Sequence, residues 1–220
     1  MSLILDGTNG STGSGAFVLG TSPTIATPTI TSLYGQNSNL VTTPYRDSGL
    51  IPAELIYRLN STNVGTATTS AQSFLGVGVT VSGSTVYQFE AVFAISKSAT
   101  ASAHNINLVF GGTATLNNIE YAVIKQAGAT TSFTDIANSG AFIIYSQSAA
   151  ATTISQIGAT AAIFQTIVIK GTVSINAGGT FIPQYQTSVS VGPYTTAIGS
   201  YFKLSPMSAS GANTSIGTWA

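Results

Sequence analysis

Residues 163–190 hold the strongest periodic pattern in the chain, two alternating runs of apolar and polar residues on either side of a glycine-containing turn. In the second run, Phe181, Tyr185 and Val189 share one face. A two-residue period is typical of β-strands, and 176–179 has the composition of a tight turn. The pattern predicts a β-hairpin at the centre of an antiparallel sandwich, with turn glycines at positive φ. The apolar positions of the first run are Ile163, Ile167, Ile169, Val173 and Ile175.

The other side of the first run is apolar where the run begins, because Phe164 and Val168 come before Lys170 and Thr172. A strand face that meets water is normally polar. We therefore expect the first half of this run to be covered by the opposing sheet or by another subunit. Only the part near 176–179 should meet water.

Further alternating segments place the chain in the all-β class. The clearest is 86–95, where Tyr87, Phe89, Phe93 and Ile95 lie on one face. About eight to ten strands with almost no helix predict an antiparallel β-sandwich of jelly-roll type. The remaining predicted strands are 56–59, 74–81, 104–110, 119–125, 141–145 and 199–204, whereas 127–140 is predicted as a loop and 146–162 as a connection.

Residues 1–44 differ in composition from the rest of the chain. Glycine, serine, threonine and asparagine occur in clusters, and Pro23, Pro28 and Pro44 separate short apolar pieces. Prolines at these intervals disfavour helices and central strands. We predict an extended N-terminal anchoring arm over 1–44, with a disordered leader as the alternative. The jelly-roll oligomerisation domain is predicted over 45–220.

The chain is poor in charge for its size. Of its 220 residues 5% are charged, against about 25% in an ordinary soluble domain, and 44% are hydrophobic. The formal net charge is zero, so no nucleic-acid partner is expected. No run approaches the roughly 18–20 uninterrupted apolar residues of a transmembrane helix, so no membrane insertion is expected.

An exterior with so few charges favours association between subunits. Neutral, apolar-rich surfaces promote contact, and obligate oligomers have more hydrophobic interfaces than transient complexes do. The composition therefore predicts a stable homo-oligomer.

Groups that support catalysis are scarce, with one histidine, six carboxylates and no cysteine. A Ser-His-Asp triad would need His104, yet no nucleophile-elbow pattern is present, so a surface or strand-start histidine is favoured. Glu90 and Glu120 could form the carboxylate pair of a glycosidase-like groove, or either could face Lys170 as a cross-strand partner, which is favoured. We expect no enzymatic activity, no catalytic residues, no metal site and no cofactor.

Two stretches resemble structural proteins of tailed bacteriophages. The first, LDGTNG followed by GSGAFVLGTSPTIATPTI, is similar to N-terminal segments of virion proteins and fibres, in which a T-S-P-T-x-x-T-P run leads into a β-rich body. The second comprises GTVSINAGGTFIPQYQTS and GSYFKLSPM, which resemble a C-terminal β-sandwich domain of such proteins. The resemblance implies a virion component, commonly trimeric, and brings no catalytic residues with it.

Two virion roles follow from this resemblance. The first is a capsid decoration or cement protein, a homotrimer whose sandwich stands on the head surface while 1–44 bind the major capsid protein. The second is a tail fibre or receptor-binding protein, attached to tail proteins by the same arm, whose sandwich loops bind a host surface glycan. Tyr194 and Trp219 are the loop aromatics that such a glycan would use, with subunit contact as their favoured role. The short chain and the absence of a fibrous repeat favour the capsid surface over the tail.

Overall fold

The computed structural model describes residues 54–98, 102–126, 141–159 and 162–211, and all regular structure within them is β. The predicted arm over 1–44 and the predicted loop over 127–140 lie outside these residues. The strands are β1 (Leu55–Arg58), β2 (Asn63–Val64), β3 (Gln72–Ser73), β4 (Val79–Val81), β5 (Thr85–Lys97), β6 (His104–Gly111), β7 (Thr115–Gln126), β8 (Ala141–Ser146), β9 (Thr152–Ile157), β10 (Ile163–Ala177), β11 (Gly179–Thr187), β12 (Thr195–Thr196) and β13 (Tyr201–Ala209).

The strands form two antiparallel sheets that pack face to face. The larger sheet has the order β1-β13-β5-β10-β7-β8, and the short strands β12 and β2 extend it beside β5. The smaller sheet has the order β3-β11-β6-β9, with β4 also paired to β11. Alternate residues of the long strands are buried between the sheets, which is why a two-residue period is so clear in their sequences.

The pairing is nested, because early strands pair with late ones. β1 pairs with β13, β3 and β4 pair with β11, β5 pairs with β10, and β6 pairs with β9. A long antiparallel ribbon wound so that successive pairs fall into opposite sheets is the topology of a jelly roll. β7 and β8 are inserted between β6 and β9 and widen the larger sheet. The predicted fold class is confirmed for the described residues.

Aromatic rings fill the space between the sheets. Phe110 and Phe181 of the smaller sheet stack with ring centroids 5.2 Å apart, and Phe89 of the larger sheet lies 5.3 Å from Phe110. Nearer the other end of β5, Phe74 stacks on Phe93 at 4.2 Å. Full burial of each such side chain contributes roughly 1.5–3 kcal/mol, so these rings hold the two sheets together.

Polar bonds join the sheets at the edge formed by β9. Gln165, which is fully buried on β10, donates from Nε2 to Ser155 Oγ at 2.8 Å. Lys125 Nζ on β7 donates to the same oxygen at 3.0 Å. Tyr121 Oη lies 3.1 Å from Thr152 Oγ1. These side chains point into the sandwich at positions where an apolar residue would be expected, and each donates to a hydroxyl on β9, while the buried Oε1 of Gln165 has no hydrogen-bond partner among the described residues.

The predicted hairpin over 163–190 is wrong in its pairing, although both of its strands exist. β10 pairs with β5 and β7 in the larger sheet, while β11 pairs with β6, β3 and β4 in the smaller one. The turn between them is therefore a corner where the chain crosses from one sheet to the other. The same alternation arises in both arrangements, because inward positions are apolar whether two strands are neighbours or face each other across a core.

The glycines of this corner allow close approach of the backbone. Neither Gly178 nor Gly179 has a positive φ, contrary to the prediction. A Cβ atom on Gly178 would lie 2.9 Å from the Val81 carbonyl oxygen, and one on Gly179 would lie 2.7 Å from Ala114 N. The corner thus packs against two other connections between the sheets, where a side chain would not fit.

Strand β9 was not predicted, because a bulge hides its period. Ile106 is opposite Ser155 and the next residue, Asn107, is opposite Thr153, so Ile154 is the extra residue. Ile154 and Ser155 are consequently both buried, and the alternation is lost. The prediction over 74–81 was only partly right, since β4 covers its last three residues.

Candidate interaction surface on the larger sheet

All charged side chains of the described residues belong to the larger sheet or directly precede it. The strands of the smaller sheet, as far as the structure describes them, contain no lysine, arginine, aspartate or glutamate. Most of the charges lie on the outer face of the larger sheet, and Lys97 and Lys125 lie on its inward side. The charged residues are Glu54, Arg58, Glu90, Lys97, Glu120, Lys125, Lys170 and Lys203.

Charges of alternating sign cross the outer face. The register places Glu90 opposite Lys203 on one side and opposite Lys170 on the other. Lys170 Nζ lies 3.2 Å from Glu90 Oε2, and Lys203 Nζ lies 2.7 Å from Glu54 Oε2. A hydrogen bond from the Tyr201 hydroxyl, 2.7 Å from Glu90 Oε1, and the Lys170 ammonium group lower the pKa of Glu90.

Glu90 and Glu120, proposed as a possible carboxylate pair, have different partners. Glu90 pairs with Lys170, which is the cross-strand arrangement that the sequence favoured. Glu120 lies opposite Thr172 and is hydrogen-bonded to Tyr145 on β8. Desolvation and this hydrogen bond raise the pKa of the Tyr145 hydroxyl.

A row of large apolar side chains runs across four strands beside these charges. Val168 on β10 lies opposite Val92 on one side and opposite Ile124 on the other, and Ile124 lies opposite Ile143 on β8. We call these four residues the apolar row. Ile143 is 74% exposed, and its neighbour on the same face, Tyr145, is 59% exposed. Apolar groups that meet in this way on a surface often mark an interaction site.

The expectation that the opposing sheet covers Phe164 and Val168 is wrong. The buried positions of β10 are the odd-numbered ones that face the smaller sheet, so these two residues lie on the outer side and are half-buried. Cover by another subunit stays a prediction.

The outermost strands of the larger sheet, as far as the structure describes it, also expose apolar side chains. Ile56 on β1 is 61% exposed, and Tyr57 beside it is exposed as well. Ten large hydrophobic side chains are exposed in the described part of the chain, and half of them belong to β1, β7 or β8. Exposure is therefore concentrated on one sheet, at its outer face and its two edges.

His104 begins β6, as one reading of the sequence predicted, but it is buried instead of lying on the surface. Its Nδ1 lies 3.1 Å from the Ser102 carbonyl oxygen, and its Nε2 lies 2.6 Å from Tyr194 Oη. Because a carbonyl oxygen only accepts, Nδ1 is the donor of the bond to Ser102. The bond joins the start of the smaller sheet to the segment before β12.

Tyr194 is buried, so it cannot be the loop aromatic that a glycan would contact. Its ring packs edge-on against Tyr185, at a centroid distance of 5.7 Å. Burial raises the pKa of Tyr194 and raises that of Tyr185 to about 12. Trp219, the other candidate, lies outside the described residues.

No group of three or more histidine, cysteine or carboxylate side chains is placed to hold a metal ion among the residues that the structure describes. No element within the described ranges is a helix long and apolar enough to cross a membrane.

No protein-family model matches the chain, and no curated protein matches it. Among solved structures, the chain is similar to one described as the structure of infectious bursal disease virus, Gx strain, at 9% identity and a TM-score of 0.18. The match covers 74% of this chain and 44% of the viral chain. At that TM-score the similarity carries no argument about fold or function.

Proposed function

We propose that the protein is a structural subunit of a tailed-bacteriophage virion, a homotrimeric decoration or cement protein on the surface of the capsid. The jelly roll stands on the head shell, residues 1–44 attach it to the major capsid protein, and the complex stabilises the particle. The resemblance of two sequence stretches to phage virion proteins supplies the virion context.

The observation that carries this proposal is the concentration of exposed apolar side chains on one sheet of a charge-poor jelly roll. Removing apolar surface from water contributes roughly 25 cal/mol per Å², less the cost of ordering the groups involved. A subunit with Ile143, Tyr145 and Ile56 exposed therefore gains from a permanent neighbour. Such a neighbour is expected in an assembled shell, where obligate contacts are the rule.

The outer face also has the charge pattern of a protein contact. Its ion pairs involve carboxylates and ammonium groups in equal number, Glu54 with Lys203 and Glu90 with Lys170. A surface for nucleic acid would instead carry a clear excess of positive charge.

The direct test is the location of the protein on purified particles. Gold-labelled antibody against it, seen by electron microscopy, should decorate the head. Labelling confined to the tail would contradict the decoration role and support the tail-fibre alternative. Capsids stripped of the protein should also be disrupted at a lower temperature than complete particles. Equal thermal stability of the two would contradict a cement function.

The anchoring role of residues 1–44 is tested by deleting them. The shortened protein should keep its oligomeric state by sedimentation but fail to bind particles that lack the wild-type protein. The full-length protein, added back to the same particles, is the control. Binding by the shortened protein would show that the sandwich itself is the attachment site.

A further inference from the structure

We propose that copies of this chain join through the two edges of the larger sheet, with β8 of one copy pairing antiparallel with β1 of the next to close a ring. This assignment names the subunit contact within the oligomer of the proposed function, and so it rests on that function.

Both edge strands have a backbone edge with no strand beside it in the described part of the chain. β1 pairs there with β13 alone, and β8 pairs with β7 alone. A free edge presents a row of N–H and C=O groups that can pair with another chain. Edges are normally blunted by charges or proline, yet β8 presents Ile143 and Tyr145 and contains neither.

The strand directions allow the two edges to meet correctly. Every neighbouring pair from β1 to β8 is antiparallel, so the six strands alternate in direction and β1 runs opposite to β8. Rotation about an axis parallel to the strands leaves their directions unchanged. The next copy therefore presents β1 antiparallel to β8, and the alternation continues without a break across the contact.

The side chains of the two edges are complementary. β1 contributes Ile56 and β8 contributes Ile143 and Tyr145, all of them exposed on the outer face, whereas Tyr57, next to Ile56, points to the other face. Cross-strand neighbours on one face have Cβ atoms about 4.5–5.5 Å apart, so these groups would cover one another. The Glu90–Lys170 ion pair lies on strands between the two edges, whereas Glu54, which pairs with Lys203, directly precedes β1.

A ring of three copies requires contact between unlike edges, because two identical edges pair about a two-fold axis and give only a dimer. This is why we assign a β8–β1 contact instead of β8 with β8. The charges do not decide between these contacts, since both signs occur at β1, where Glu54 pairs with Lys203 and Arg58 is exposed.

Because the two edges differ, the contact is heterologous, and repeated rotation either closes a ring or continues as a filament. The trimer expected from the resemblance to virion proteins corresponds to a ring of three copies. Each copy then has neither edge free, which removes the aggregation risk that two exposed apolar edges would otherwise carry.

The absence of cysteine from the chain makes a cross-linking test unambiguous. We would prepare full-length Ile56→Cys, Ile143→Cys and the double variant, and treat each with a short bis-maleimide. The double variant should form covalent dimers and trimers on denaturing gels, while each single variant stays monomeric, because the two thiols of one contact come from different edges. Cross-linked dimers of Ile143→Cys alone would overturn the assignment in favour of paired identical edges.

Sedimentation of the unmodified protein separates this proposal from the proposed function. A monomer at micromolar concentration, or an oligomer whose double variant does not cross-link, would overturn the edge contact whatever the location on the particle. Cross-linked trimers that fail to bind phage heads would leave the contact intact and contradict the decoration role.

A substitution provides a second measurement that does not depend on cross-linking. Ile143→Lys should weaken self-association on the order of 100-fold, since a lysine would be buried in the contact. Val189→Lys, at an exposed position after the end of β11, is the matched control and should associate like the wild type. Equal association of the two variants would overturn the assignment. Circular dichroism checks that both are folded.

Discussion

The two sheets of this jelly roll share one core but present different outer faces. The larger sheet exposes ion pairs, the apolar row and two apolar edges. The outer face of the smaller sheet combines amides and hydroxyls with the half-buried side chains of Val109 and Ile182, and bonds within the chain satisfy several of the polar groups. Thr153 Oγ1 donates to Asn107 Oδ1 at 2.8 Å, and Gln186 Nε2 donates to the Thr69 carbonyl oxygen at 2.9 Å.

This difference indicates which side of the molecule needs a neighbour. A neutral face whose polar groups are already paired loses nothing by staying in water. A face with exposed isoleucine and tyrosine gains free energy when it is covered. The few charged residues are therefore not spread evenly over the surface. They lie beside the exposed apolar side chains and can orient a partner that covers this face.

The largest expected effect compares a glycine on the core side of the larger sheet with one on the outer side of the smaller sheet. In Gly171→Ala, on β10, the new Cβ would overlap the Glu120 carbonyl oxygen and lie 2.7 Å from Phe89 Cζ, which cannot move easily in the core. We expect a loss of about 3 kcal/mol in the free energy of unfolding, measured in urea. In Gly111→Ala, on β6, the obstacle is the flexible Gln184 side chain, so the loss should stay below about 1 kcal/mol. Similar losses would show that the Gln184 side chain cannot move aside as easily as an outward position should allow.

The second prediction concerns tyrosines inside and outside the sandwich at alkaline pH. Burial raises the pKa of Tyr185 to about 12, so the folded state holds its neutral form while the unfolded state ionises first. The contribution of Tyr185 to the free energy of unfolding should be fully present below pH ~10. It should fall as the pH rises toward 12, by on the order of 2 kcal/mol. Tyr185→Phe should show a smaller alkaline loss than the wild type in urea titrations between pH 8 and 12.

Tyr57→Phe, at an exposed position on β1, is the control for this measurement and should follow the wild-type curve. An unchanged alkaline loss in Tyr185→Phe would mean that other groups cause it.

The third prediction tests the ion pairs of the larger sheet. Glu90→Gln removes the partner of Lys170 and Tyr201, and because these side chains are partly exposed the cost should be at most about 1 kcal/mol at neutral pH. The folded-state pKa of Glu90 lies below its ordinary value of 4.5, so its contribution is present above that pH and is lost as the pH falls through the folded pKa. The variant and the wild type should therefore converge in acid.

Gln88→Ala, on the same face but outside the ion pairs, should keep a constant difference from the wild type at all these pH values. A Glu90→Gln deficit that persists in acid would show that packing, and not charge, is responsible.

Strands with an unbroken alternation could be predicted from sequence, and their partners could not. β5 and β10 were identified because every second residue enters the core, which is a local property. That β10 and β11 lie in opposite sheets depends on their neighbours β5 and β6, many residues earlier. The bond between His104 and Tyr194 joins residues 90 positions apart, so no local pattern in the sequence predicts that this histidine is buried.

The interaction surface was predictable only in outline. The scarcity of charge indicated association, and Phe164 and Val168 indicated an apolar outer side of one strand. The apolar row, however, is made by four strands brought together by the sheet order, and Ile143 is exposed because β8 is an edge. These properties depend on topology, which a single sequence does not specify locally.

The smallest expected effect belongs to the outer face of the smaller sheet. Gln156 on β9 is exposed there, opposite Asn105, and Gln156→Lys adds a positive charge to a face that has none in the described residues. If this face meets water in the assembled protein, the free energy of unfolding should change by less than about 0.5 kcal/mol and the sedimentation coefficient should not change. A variant that dissociates would show that the amide face is also an interface, because an added lysine weakens a contact only where it is desolvated. Both faces would then be interfaces. They would differ in the type of contact, apolar on the larger sheet and hydrogen-bonded on the smaller one.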